Sequence, residues 1–205
     1  MAPSKADDMA ETLLDAAERL YATNGAAGLT TRSIAEAADT TTQSVYTYFG
    51  SRDALIEAMY RRAVAAVEEI IALATANVSQ DPAPNEVVSS FIAAAVTYRE
   101  FCKQYPGRFR LIRVSGMDGS APVEAVELRQ KIVDTLVAFG RSGGGWQFPE
   151  YEGRVHLTLS AIHGFILAEI ERFITPEHDP DRLFRELVTR CLAPYEEVEA
   201  LLPPG

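Results

Sequence analysis

Apolar positions recur at helical spacing along the whole chain. Leu13, Ala17, Leu20 and Tyr21 fall three and four residues apart, which places them on one face of a first helix. Ser4-Lys5-Ala6-Asp7 has the form of a capping box in front of it, and Asn24-Gly25 supplies a left-handed stop behind it. Thr30 or Thr31 caps a short second helix that carries Ile34 and Ala35. A break at Asp39-Thr40 follows, and Thr41 caps a third helix through Tyr48. Gly50-Ser51 ends that helix, and Ser51 caps a fourth over residues 52 to about 76, with Asp53 in its positive first turn. Period-2 runs between Asn-Gly or Asp-Gly turns do not occur, so the predicted fold class is all-α.

Residues 79–85 read as a linker, with Pro82 and Pro84 among polar and small residues. Beyond it the periodicity predicts helices at 86–104, 108–114, 123–139 and 150–173, then one from 181 to about 202 that breaks at Pro194. Loops fall at 115–122, at the glycine-rich 141–149 and at 175–180. The division expected is a helix-turn-helix domain over 1–52, a connecting helix and linker start over 53–78, and a second helical domain over 79–205.

The helix at 150–173 is apolar around most of its girth. Val155, Leu159, Ile162, Ile166, Ile170 and Phe173 form one stripe, while Leu157, Ala161, Phe165 and Ala168 lie on other sides. Such a helix must be buried twice, against its own domain and against a second subunit. A homodimer is therefore expected. Leu183, Phe184, Leu187, Val188 and Cys191 are candidates for the partner face, and Gly164 allows close approach of two helices.

Composition narrows the classes. The 205 residues are 47% hydrophobic and 23% charged, the balance of a globular protein. Cys102 and Cys191 lack CxxC spacing, which points to reduced thiols in a cytoplasm. No charged-apolar-cleavage pattern opens the chain, and the apolar run at 155–170 is interrupted by His156, His163 and Glu169, so no membrane partner is expected. The net charge of −10 has the wrong sign for coating nucleic acid by charge alone. Contact with DNA has to be local and shaped.

Two short helices and a tight turn, braced by a longer first helix, describe a helix-turn-helix. Ile34 and Ala35 can pack on Leu13, Ala17 and Leu20, and Val45 and Phe49 close the same core with Leu55 and Met59. That frees the opposite face of the third helix: Thr42, Gln43, Ser44, Tyr46, Thr47 and Tyr48, with no acid among them. Gln pairs bidentately with adenine, and Ser and Thr are permissive readers. Tyrosine hydroxyls suit phosphate or sugar, and the helix N-terminus near Thr41 offers amides to a phosphate. From Thr30 to Arg52, Arg32 and Arg52 only cancel Glu36 and Asp39; Lys5, Arg19, Arg61 and Arg62 add charge if they face the duplex.

Thr30-Thr31-Arg32-Ser33-Ile34-Ala35-Glu36-Ala37-Ala38, followed by Thr41-Thr42-Gln43-Ser44-Val45-Tyr46-Thr47-Tyr48-Phe49-Gly50-Ser51-Arg52-Asp53-Ala54-Leu55, resembles the DNA-binding domain of the tetracycline-repressor (TetR) family. The resemblance is close over roughly residues 10–59 and general beyond. It implies a transcriptional regulator, in most cases a repressor, that binds palindromic double-stranded operator DNA as a homodimer and leaves it on binding a small-molecule effector. It implies that Thr30 contacts phosphate, that Thr42, Gln43 and Ser44 lie among base or backbone readers, that Tyr46 matches the family tyrosine, and that Arg52 replaces a phosphate-binding lysine. Tyr48 stands where histidine is usual, and Asp39 where glycine is usual.

Two further features resemble one subgroup of the family's C-terminal, pocket-enclosing domains: the run from Tyr98 through Tyr105-Pro106-Gly107-Arg108 to Leu111, and His163-Gly164, with Leu159 where the subgroup often has Trp. Candidate pocket residues are Phe101, Phe109, Leu111, Met117, Phe139, Trp146, Phe148, His156 and His163, and of these Phe101, Phe109, Met117, Trp146, His156 and His163 are the expected effector contacts. Aromatic and Met residues at helical spacing are more often core than ligand wall. His163 differs because a histidine in an apolar run must find a hydrogen-bond partner.

Catalytic signatures are missing. His156 and His163 stand about 10 Å apart along a helix and cannot share a metal ion. No HExxH, GxSxG, Walker loop or GxGxxG occurs. Cys102 has no nucleophile context, although Lys103 beside it would lower its pKa. The reading is a regulator without cofactor or enzymatic activity; the alternative is a helical protein-interaction or ligand-binding module that does not bind DNA.

Overall fold

Local signals account for where the helices begin and end. The computed structural model describes residues 5–76, 78, 79, 82–114, 127, 130, 133–138 and 151–192, and among these the regular structure is helical throughout. Helix α1 runs Lys5–Asn24 and stops at Gly25, whose φ of 63° and ψ of −161° lie in a region that only glycine enters without strain. A 3-10 turn, Ala26–Gly28, leads to α2, Thr31–Ala37. Helix α3 spans Thr42–Phe49 and α4 spans Arg52–Thr75, with the Ser51 hydroxyl accepting the Ala54 amide at 3.1 Å. Then come α5, Pro84–Gln104, and α6, Pro106–Val114. Residues 133–138 are helical, α7 covers Tyr151–Ile170, and α8 covers Pro180–Leu192 after a 3-10 turn at Pro176–His178. The predicted Ser4 cap, the loops at 115–122 and 141–149 and the chain beyond 192 lie outside the described residues.

The chain divides into two packing units, Met1–Ala66 with Tyr105–Arg129, and Val67–Gln104 with Gln130–Gly205. In the first, Leu13, Ala17, Leu29, Ile34, Val45, Leu55 and Met59 are essentially inaccessible and form one core, with Leu20 and Phe49 packed at its edge. Each was expected there except Leu29. The core also takes in Leu111 of α6, which corrects its expected place among the pocket residues: α6 lies against α1 and turns this side chain inward.

Helix α6 reaches α1 because Gly107 has no side chain: a Cβ there would overlap the Glu18 carbonyl oxygen. The next residue, Arg108, sends Nε to Glu18 Oε2 at 2.8 Å, and both side chains are buried. Arg62 of α4 approaches the other carboxylate oxygen at 3.5 Å and bonds Asp15 at 2.6 Å. Burial pushes the Glu18 carboxyl above its ordinary pKa, and the two arginines offset only part of that cost. Arg110 donates to the Ala22 carbonyl at 3.3 Å.

The second unit is held by Arg99 of α5, which is 2% exposed. Its Nε and Nη2 grip the Glu169 carboxylate at 2.6 and 2.7 Å, and its Nη1 meets Asp181 at 2.7 Å. Phe165 and Phe184 place their rings 5.9 and 5.2 Å from the guanidinium carbon. Three helices thus meet at one cation. Phe184 and Val188 lie at 0% and 1% exposure in this core, which corrects their expected place on a partner face: the α8 stripe turns them inward. Leu183 stays exposed, and Leu187 and Cys191 half-buried. Leu157 and Phe173, at 61% and 87%, are apolar residues left outside, Phe173 because α7 ends at Ile170.

Gly107→Ala is expected to destabilise the chain by about 1–3 kcal/mol, because the collision is with backbone that cannot rotate away. Urea unfolding followed by circular dichroism checks it. Burial raises the Glu169 pKa, but hydrogen bonds from Arg99 and Lys103 outweigh it and hold the carboxyl below its usual range. A lowered pKa gives stability that is present above the unfolded-state value of about 4.3 and lost as pH falls through the folded one. Glu169→Gln should therefore cost about 3 kcal/mol at pH 7, where it removes the bidentate one of the two carboxylates that hold a buried arginine, and less near pH 3. Unfolding curves at the two pH values measure the difference.

Candidate nucleic-acid interface

A helix that reads a groove needs one anchored side and one bare side. Val45 anchors α3 at 0% exposure. Successive residues turn by about 100°, which puts Gln43 and Thr47 nearly opposite Val45. Both are exposed, as are Thr41 and Thr42. Tyr46 and Tyr48 are 50% and 38% exposed. The structure thus gathers Thr41, Thr42, Gln43, Tyr46 and Tyr48 on or beside one short helix, and no acidic side chain belongs to it.

The turn is built from hydroxyls. Thr30 is the N-cap of α2: it accepts the Ser33 amide at 3.0 Å, and Ser33 Oγ accepts the Thr30 amide at 3.0 Å, a capping box with serine in the usual glutamate place. Ser33 Oγ also lies 2.7 Å from the Gly28 carbonyl. Asp39 takes the left-handed conformation, φ 51°, that glycine would supply, which an aspartate tolerates better than most residues. Thr41 holds the N-cap position of α3 but makes no side-chain bond to the helix backbone. Ser44 is half-buried, its hydroxyl 2.8 Å from that of Thr40 and 3.4 Å from that of Thr41, so it faces the turn more than the open side expected for it.

The arginines named above are engaged, and the side chain of Lys5 lies outside the described residues. Arg32 pairs with Glu36 at 2.8 Å, Arg61 with Glu57, and Arg62 with Asp15. Arg19 reaches the Ala37 carbonyl at the end of α2 at 3.5 Å. Arg52 is half-buried, its guanidinium bonded to the Leu29 and Ala26 carbonyls and to Asp53. The exposed face of α3 is neutral and rich in hydrogen-bonding groups.

The expected effector contacts scatter. Phe109 is 3% exposed and packs in the first unit, beside Arg113. Leu111 is core. His156 is exposed. Met117, Phe139, Trp146 and Phe148 lie outside the described residues. Phe101 and His163 each lie beside a residue that periodicity did not single out: the Tyr98 hydroxyl lies 2.9 Å from His163 Nε2, and its ring lies 6.4 Å from that of Phe101. The predicted hydrogen-bond partner of His163 is therefore Tyr98. Cys102 is buried behind it, and burial raises its thiol pKa to about 12. Lys103 does not lower it, since its ammonium is committed to Glu169 and Glu100, both at 3.2 Å. No cluster of three potential metal ligands occurs among the described residues, and no described helix is long and apolar enough to cross a membrane.

Two family models match the chain, one described as bacterial regulatory proteins, tetR family, over residues 13–59, and one as tetracyclin repressor-like, C-terminal domain, over residues 91–191. The chain belongs to the TetR family. Its members are DNA-binding transcriptional regulators, and the matched N-terminal segment contains α2, the turn and α3. Solved structures share the fold. A TetR-like transcriptional regulator from Rhodococcus sp. RHA1 is 16% identical, with 93% of this chain and 98% of that one covered at a TM-score of 0.71. The fatty acid degradation regulator FadR from Bacillus halodurans is 13% identical, with 94% and 97% covered at 0.69. A tetR-family regulator from Streptomyces coelicolor is 18% identical, with 93% and 80% covered at 0.67. No curated protein matches by sequence.

In this TetR-family chain the Thr30 and Ser33 hydroxyls form one motif. Thr30→Ala should lower stability by about 1 kcal/mol. Ser33→Ala should cost a similar amount, and the double variant less than the sum. Thermal unfolding of the three variants tests this.

Proposed function

We propose that the chain is a ligand-responsive repressor, acting in the cytoplasm as a homodimer on palindromic operator DNA. The observation that carries this reading is the row of neutral hydrogen-bonding side chains opposite Val45 on α3. Gln43, the outermost, pairs with an adenine edge, and Thr42 reads beside it or touches a thymine methyl. Tyr46, Tyr48 and Thr30 grip phosphate or sugar, Ser44 contributes from the turn, and the amides near Thr41 seat a phosphate. Exposed Leu157, Leu183 and Phe173 support apposition of a second copy along α7 and α8. So does Gly164, where an added Cβ would meet nothing within 4 Å.

Phe101 and His163, brought to Tyr98, support effector contact at that aromatic and hydrogen-bonding cluster. Release then requires the effector to bind one subunit spacing better than the other; tight binding to both shifts nothing.

Selection of duplexes from a random library by the full chain tests the reading. The expected outcome is a palindrome whose half-sites are separated by one helical turn or a multiple of it. Gln43→Ala should relax the preference at one position of each half-site, worth about 1–3 kcal/mol of discrimination. Recovery of random sequence instead favours a helical interaction or ligand-binding module without DNA binding.

A further inference from the structure

Arg52 opens α4, yet its side chain is spent on backbone far behind it in the chain. Nε donates to the Leu29 carbonyl, Nη2 donates to the Ala26 carbonyl at 3.2 Å, and Nη1 lies 3.1 Å from Asp53 Oδ1. Ala26 and Leu29 bracket the 3-10 turn between α1 and α2. Thr30, the N-cap of α2, follows directly, and its capping box with Ser33 ties back to the Gly28 carbonyl inside the same turn. One guanidinium thus joins the corner where α3 gives way to α4 to the corner from which α2 departs.

The chemistry of the side chain suits this task. A planar fork with fixed N–H directions holds two carbonyls at once, whereas an ammonium is a point charge with no such geometry. The environment also disfavours a phosphate. The Asp53 carboxylate sits against Nη1, its side chain 89% exposed, so an approaching anion meets a negative charge at the same nitrogen. Arg52 stands where the family resemblance puts a phosphate-binding lysine, but its bonds are those of a clamp.

We infer that Arg52 is a positioning residue: it sets the direction in which α2, and with it α3, leaves the head, and so governs operator recognition without touching DNA. This rests on the proposed DNA-binding role, and its test separates the two. The probes are the duplex selected by the wild-type chain and a shuffled duplex of the same composition, with Arg52→Ala and Arg52→Lys assayed at a temperature where both remain folded.

Both variants should lose about tenfold in affinity for the selected duplex, the scale of one charge-assisted hydrogen bond. Affinity for the shuffled duplex should stay within about twofold, and the salt slope should not change, because no counterion-releasing contact is removed. The Gly28, Leu29 and Thr30 amides should exchange faster by NMR while those of α1 hold.

Three results overturn the inference. A phosphate contact weakens both duplexes, shallows the slope by about 0.9 per half-site in Arg52→Ala, and is rescued by lysine. A purely stabilising role lowers Tm and leaves both affinities unchanged. Unaltered exchange at the turn removes the clamp itself. Failure of the wild-type chain to select any duplex sinks the DNA-binding reading instead, and the exchange measurement still judges the clamp.

Discussion

Val45 is the pin on which the head of this molecule turns. It is fully buried in a core built by Leu13, Ile34, Leu55 and Met59, and burying a side chain of that size is worth roughly 1.5–3 kcal/mol. The larger consequence is rotational. Once one residue of a two-turn helix faces the core, the others have fixed bearings, and Gln43 and Thr47 must point outward. The Thr47 hydroxyl then donates to the Gln43 carbonyl at 2.9 Å, satisfying itself along the helix and leaving the glutamine amide available. Exposure of Gln43 and Thr47 is thus a result of packing on the opposite side.

Much of this was legible because the signals are local. Gly25 and Gly50 end helices at positive φ, Thr30 and Ser51 begin them by accepting amides, and the apolar spacing named Leu13, Ala17, Tyr21, Ile34, Val45, Leu55 and Met59 of the first core. What periodicity does not reveal depends on partners far along the chain. Gly107 looks like any glycine until the Glu18 carbonyl appears against it, and Arg108 finds its acid 90 residues away. Leu111 carries the same periodicity whether it lines a pocket or completes a core.

The site shows the same division. The exposed face of α3 followed from periodicity, but Ser44 turned toward Thr40 and Thr41, and Arg52 toward carbonyls. Backbone acceptors leave no trace in a sequence, so periodicity does not show which side chains serve them. The error on α8 has a related cause. Phe184 and Val188 belong to a stripe that suits either a partner or the protomer's own core, and Arg99, held by Glu169 and Asp181 between the rings of Phe165 and Phe184, decides for the core.

The charge distribution follows from these commitments. Arginines that a simple count would offer to DNA are each balanced within the head, Arg32 by Glu36, Arg61 by Glu57 and Arg62 by Asp15. A net charge of −10 would oppose a polyanion if it acted at long range, but at physiological salt fields decay within about 8 Å, so charges beyond the interface count little. What remains at the surface of α3 is a set of uncharged donors and acceptors. An acidic chain built in this way gives up the general attraction that holds basic proteins to any duplex. Its binding has to come from complementarity, and complementarity at a helix this short depends on how rigidly the turns beneath it are held.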